Sequence, residues 1–124
     1  MKILVVDDEL QIRPLFEQRF RREISRREIE LSFAYSGEEA LTALPESSVV
    51  LILSDINMPG MSGLELLRRI RTIHPQRPPT VVMITAYDEN QNRQQAIAYG
   101  ADDFLTKPID FAFLKEKLTE YADI

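Results

Sequence analysis

The sequence has no cysteine, a single histidine, four glycines and no long apolar run in its 124 residues. Without cysteine there is no disulfide framework. The lone His74, next to Pro75, has no second imidazole nearby and reads as a surface loop residue. Too few glycines are present, and none in the pattern GxxxxGK[ST], to cradle a nucleotide's phosphates with backbone amides. No run approaches the ~18 apolar residues of a membrane span, and the N-terminal one is too short for a secretory segment and lacks a small-residue cleavage site. Nor is there an excess of base. The net charge is -5 and the sequence pI about 4.9, against the basic face that nucleic-acid binding calls for. What is left is a chain expected to be cytoplasmic, off the membrane, without direct nucleic-acid binding, and long enough for one domain over residues 1–124. Its end, "KLTEYADI", fits either a lone domain or a longer protein cut there.

Against that background five short runs rich in β-branched and apolar residues stand out: "KILVVD" (2–7), "ELSFA" (30–34), "VVLILSD" (49–55), "TVVMITA" (80–86) and "DFLTK" (103–107). The first, third and fourth are nearly continuous in apolar residues, as parallel strands covered on both faces must be. Between them lie segments of helical spacing, such as Leu64, Leu67, Ile70 and Arg71 with Ile73, or Phe111, Leu114, Leu118 and Tyr121. Ser36 with Glu39, and Ser62 with Glu65, are capping-box pairs; Asp110 can cap the last helix, and Gly100 can close the helix expected to begin near Asp88. Pro75, Pro78 and Pro79 bar the preceding helix from continuing. Pro14 is harmless if the first helix begins near Gln11 and kinks it if the helix begins at Glu9. Strand and helix alternating five times predict a doubly wound (βα)5 α/β domain, a parallel sheet with helices on both faces.

In such a sheet ligands bind beyond the carboxyl ends of the strands. Strand one ends in Asp7 and Asp8, strand three in Asp55, strand four in Thr85 and strand five in Lys107 with Pro108. Three carboxylates, a hydroxyl and an ammonium should therefore meet at one rim. Two carboxylates about 4 Å apart repel by on the order of 4 kcal/mol at an effective dielectric near 20, and a third adds more. A hard cation relieves this, and a shallow rim of carboxylates suits Mg²⁺, which keeps several waters and seeks phosphate oxygens. Lys107 and Thr85 can each contact such an oxygen. Asp55 precedes an open loop, "INMPGMSG", and a carboxylate there can itself accept phosphoryl as an acyl phosphate.

Together "VVDDE", "LSDINMPGMSGLELL", "MITAY" and "GADDFLTKPID" resemble the receiver domain of two-component response regulators, in that order and across essentially the whole chain. The resemblance implies a five-stranded parallel sheet of order 2-1-3-4-5 and a phosphoryl group taken from a histidine kinase or a histidine phosphotransfer domain. Asp55 would be the phosphoacceptor. Asp8 would bind Mg²⁺ directly and Asp7 largely through water, with Asp55 and the backbone carbonyl of Asn57 as further ligands. Lys107 would contact the phosphoryl group before a cis Pro108, while Thr85 and Phe104 would form the switch. Asn57 and Tyr87 match positions that tune the lifetime of the phosphorylated state. A signal would leave through the face of the fourth helix, fifth strand and fifth helix, to an unknown output domain or protein or through phosphorylation-dependent dimerisation. The domain would be a phospho-switch with self-phosphorylation and autodephosphorylation only.

Other roles compete for some of these residues. Asp102 and Asp103 precede strand five at the opposite rim and read as turn and surface residues, and Met58 and Met61 as loop packing. Five arginines between residues 19 and 27 read as a solvated helix end, with docking of an acidic partner as the sharper alternative. Two other functions stay open at this stage. A hydrolase working through an aspartyl phosphate would want an acid two residues past the nucleophile, where Asn57 stands. A constitutive binding module would use the same fold without changing state.

Overall fold

The apolar residues of the strands sort into two sets by parity. On the first and third strands Ile3, Val5, Leu51 and Leu53 fall on one side, Leu4, Val6 and Ile52 on the other; the fourth adds Val82 and Ile84 to the first set, Val81 and Met83 to the second. Both sets are buried, because helices cover both faces. The computed structural model describes residues 1–46, 48–86 and 90–123. Its strands are β1 (Lys2–Val6), β2 (Glu30–Ala34), β3 (Leu51–Asp55), β4 (Thr80–Thr85) and β5 (Asp103–Thr106), all parallel, in the order β2-β1-β3-β4-β5. The strand order and doubly wound α/β architecture are those expected, and the strands end within two residues of the runs read from sequence.

The helices are α1 (Ile12–Arg19), α2 (Arg21–Ser25), α3 (Gly37–Ala43), α4 (Gly63–Ile73), α5 (Asn90–Ala98) and α6 (Phe111–Asp123), with a single 3₁₀ turn at Leu44–Glu46. Helices α1 and α2 are one element bent at Phe20: the Phe20 amide donates to Phe16 and the Ile24 amide to Phe20, so hydrogen bonding runs through the bend. Pro14 lies in the first turn of α1, where its missing N–H costs nothing. Ser36 and Ser62 each accept the amide three residues on, at 3.1 and 3.2 Å, and Asp110 accepts the Phe113 amide. The start of α5 expected near Asp88 lies outside the described residues. Gly100 closes that helix at a φ of 98°, in the left-handed region.

One face carries α1, α2 and α6, with Ile12, Phe16, Phe20, Leu114, Leu118 and Tyr121 against the first set of strand residues. The other carries α3, α4 and α5, with Ala40, Leu66, Leu67, Ile70 and Ala96 against the second. The stripe of α4 is narrower than its spacing predicts, since Ile73 in the last turn is 62% exposed.

The acidic pair at the start of β5 corrects the sequence reading. Asp102 is no surface residue: it accepts from the Arg71 guanidinium at 2.7 Å and the Val81 amide at 2.8 Å, and the Arg71 and Asp102 side chains are 10% and 11% exposed. Arg71 also donates to the carbonyls of Gly100, His74 and Pro79, tying α4, the proline-rich connection and the α5–β5 turn together. Asp103 accepts the Tyr121 hydroxyl at 2.7 Å and so pins α6 to β5. Half-buried His74 forms the C-cap of α4. Arg21, Arg22, Arg26 and Arg27 are exposed, as expected of a solvated helix end.

Candidate functional site

The parallel register brings the strand ends to one rim. Val6 pairs with Ser54, Asp55 with Ile84 and Thr85 with Thr106. Backbone bonds continue the ladder past the strands: the Asp7 amide donates to Ala34 (3.1 Å), Ile56 to Ile84 (3.0 Å) and Lys107 to Thr85 (2.8 Å). Asp7, Asp55, Thr85 and Lys107 are thus positioned by the hydrogen-bonded sheet itself.

Lys107 reaches back across the rim. Its Nζ donates to Asp55 Oδ2 at 2.9 Å and to Asp7 Oδ2 at 3.4 Å. Asp7 and Asp55 are buried, Asp8 is exposed, and one oxygen from each lies within 4.8 Å of the others. Among the described residues this is the grouping of acidic, histidine or cysteine side chains close enough to share a metal ion. Burial pushes the Asp7 carboxyl above its ordinary value; the Glu9 amide, which donates to Asp7 Oδ1 at 2.9 Å, and Lys107 pull it down, while Asp55 pushes it further up. For Lys107 burial favours the neutral amine, but the hydrogen bond to Asp55 and the two carboxylate charges outweigh it and hold the ammonium on. The rim is therefore a half-buried, over-acidic site with Lys107 fixed across it. Three hard oxygen donors on a partly open surface fit Mg²⁺ better than a softer metal.

Thr85 is buried at the end of β4, and the half-buried Phe104 packs against the α3–α4–α5 core. Exposed Asn57 donates its amide to Asp55 Oδ1 over a long 3.4 Å. The Lys107–Pro108 peptide is cis. Tyr87 lies outside the described residues. Buried Met58 and half-buried Met61 pack in the loop after β3.

Two positioning groups were missed. A Cβ on Gly63 would lie 1.9 Å from the Asp55 carbonyl oxygen, so only glycine lets the start of α4 press against the strand end that carries Asp55. The loop after Asp55 reads as open from its sequence, whereas at Gly63 it is pressed against the protein's own backbone. The second is the Glu9 amide on Asp7. The "DDE" order signalled charge and concealed the turn that turns this N–H inward.

No helix of the described residues is long and apolar enough to cross a membrane. A family model described as the response regulator receiver domain matches residues 3–119. The chain is 41% identical over 115 residues to the response regulator protein PilR of Pseudomonas aeruginosa, covering 93% of this chain and 24% of that protein. It spans about a quarter to a half of the length of the first curated relatives it matches. Among solved structures it is similar to the response regulator TrrA of Thermotoga maritima in complex with Mg²⁺ and BeF (TM-score 0.79, 35% identity, 97% of each chain). It is also similar to the receiver domain of Ssk1 from Saccharomyces cerevisiae, crystallised with the histidine phosphotransfer protein Ypd1; there the TM-score is 0.86 at 27% identity, covering 98% of this chain and 88% of that one.

Proposed function

Because the chain belongs to the response regulator receiver domain family of two-component signalling, we propose that Asp55 is its phosphoacceptor and that it takes its phosphoryl group from a phosphohistidine. The observation that carries this is the bridge from Lys107 to both Asp55 and Asp7 at the carboxyl ends of the strands. An Asp55 carboxylate oxygen attacks phosphorus, the histidine N–P bond breaks, and the imidazole keeps the electron pair and takes up a proton. Lys107, held charged by its surroundings, moves its contact from carboxylate to phosphoryl oxygen and offsets the added negative charge. Asp8, Asp7 and Asp55, with the Asn57 carbonyl, would hold Mg²⁺, which when bound supplies charge neutralisation to the phosphoryl oxygens. Thr85 donates its hydroxyl to the new phosphate and Phe104 shifts with it.

The phosphodonor docks beside Lys107, where a cavity of about 520 Å³ is lined by Leu15, Arg19, Pro108, Ile109 and Phe111. A helix of a kinase or phosphotransfer domain suits such a groove, its histidine aimed at Asp55. The output passes through α5, β5 and α6, where Ile97, Tyr99 and Phe113 are exposed apolar side chains free to meet an output domain or a second receiver. Asn57 and Tyr87 set how long the acyl phosphate survives. The setting is the cytoplasm, and the chemistry is confined to self-phosphorylation and autodephosphorylation of one domain over residues 1–124. Incubation with a phosphorylated histidine phosphotransfer protein should label the wild type and not Asp55→Asn; labelling of both, or of neither even with a small-molecule phosphodonor, would reject this function.

A further inference from the structure

Helix α2 stops on an arginine where the backbone favours glycine. The Arg27 amide donates to the Ile24 carbonyl at 3.0 Å and the Glu28 amide to the Glu23 carbonyl at 2.9 Å, the paired bonds of a Schellman stop. Arg27 takes the left-handed position of that stop, at a φ of 60°. A residue with a Cβ gives up stability there that glycine would keep. The turn itself therefore does not call for arginine.

That side chain belongs to a group. Arg21, Arg22, Arg26 and Arg27 are all exposed, and among the described residues none of them forms an ion pair. Neighbouring acids are engaged elsewhere: Glu17 with Arg13, Glu23 with Lys115 and Glu30 with Lys2. Arg21, Arg22, Ser25 and Arg26 line an open cavity of about 320 Å³. The patch lies at the end of the sheet away from Asp55. Just past it the Glu30 amide donates to the Met1 carbonyl, and from there β1 runs five residues, about 16 Å, to the rim.

The chemistry of the patch selects its occupant. Guanidinium groups grip carboxylates and phosphates through paired hydrogen bonds. A membrane surface fits poorly, because the patch has no apolar side chain to insert: Phe20 and Ile29 are buried and Ile24 is half-buried. An extended nucleic acid would run past the arginines onto a chain whose net charge is -5 even with them included. A short acidic segment of a protein meets the arginines alone.

We infer that the arginine patch closing α2 is a docking surface for an acidic segment of a partner protein, at the opposite end of the domain from the Asp55 rim. Docking there leaves the rim open and does not depend on whether Asp55 takes phosphoryl. The probe is a blocked peptide of repeated Glu-Glu-Ala, with a Gln-Gln-Ala peptide as control, titrated into the full chain at low salt and followed by amide NMR. Shifts should cluster at residues 21–28 with the acidic peptide, fade as salt is raised, and be absent with the control.

Arg22→Gln, Arg26→Gln and Arg27→Gly should each weaken binding by about 1.5- to fivefold, the worth of one exposed ion pair. The melting temperature of Arg27→Gly should equal or exceed that of the wild type, since glycine suits the left-handed position. Shifts spread over the other cations of the chain, or binding unchanged in all three variants, overturn the inference. So does a lower melting temperature of Arg27→Gly, which would mean that the arginine serves the fold. Tighter binding of phosphatidylserine vesicles or of duplex DNA through the same residues would assign the patch to that class and overturn the acidic-protein reading.

Discussion

The rim at Asp7 is electrostatically overloaded, so removing its charge should stabilise the metal-free protein while abolishing its response to metal. At an effective dielectric near 20, the attraction between Asp7 and Lys107 at 3.4 Å is about 5 kcal/mol. Repulsion from Asp55, at no more than 4.8 Å, is at least about 3.5 kcal/mol, and the exposed Asp8 adds a screened fraction of the same. These pairwise terms largely offset one another, and the burial of the Asp7 carboxylate is only partly met by the Glu9 amide. In Asp7→Asn, Lys107 keeps Asp55 as partner and the amide oxygen can still accept the Glu9 N–H. A gain of about 1–2 kcal/mol is expected without metal, because a buried like charge goes while the remaining ion pair stays intact. At this chain length that is a rise in melting temperature of roughly 3–8 °C. Thermal and urea unfolding with EDTA and with millimolar Mg²⁺ should show the wild type gaining stability with the ion and Asp7→Asn gaining little. The reasoning is refuted if Asp7→Asn is the less stable protein in EDTA, or if Mg²⁺ stabilises both equally.

Other parts of the structure make separate demands. Asp102→Asn leaves the Arg71 guanidinium buried without its counter-charge and should cost about 3–5 kcal/mol in urea unfolding, much of it recovered in the double variant Arg71→Met/Asp102→Asn. Gly63→Ala should cost about 1–3 kcal/mol by pushing α4 off the Asp55 carbonyl, and should slow phosphorylation by acetyl phosphate as the nucleophile shifts. Burial, then the hydrogen bond and charge of Asp103, raise the Tyr121 phenol above its ordinary value. The folded state therefore keeps a proton that the unfolded chain loses above about pH 10, and stability falls by about 1.4 kcal/mol per pH unit from there. In Tyr121→Phe that component of the alkaline slope should be missing.

The limits of what could be read beforehand follow from distance along the chain. Strand parity and strand-end position are local properties, so Asp7, Asp55, Thr85 and Lys107 could be placed at one rim from their positions at the ends of apolar runs. The partner of Asp102 stands 31 residues earlier, on α4, and an acidic pair at the start of a strand looks the same whether it is solvated or locked to a buried arginine. Gly63 was legible as a glycine in a loop, yet its constraint comes from the Asp55 carbonyl, eight positions back in sequence and brought close by the chain's return. The exposed Ile73 failed its stripe because α4 ends there, and the last turn is held instead through buried Ile70 and the Arg71 bonds to the proline-rich connection.

Asp55, held by Lys107, is proposed as the group that receives phosphoryl. Phosphorus NMR of the protein with Mg²⁺ and acetyl phosphate tests it most directly. One acyl-phosphate resonance should appear, prevented by EDTA, weakened in Lys107→Met and absent from Asp55→Asn. A resonance persisting in Asp55→Asn, or none in a folded wild type saturated with both reagents, would contradict it.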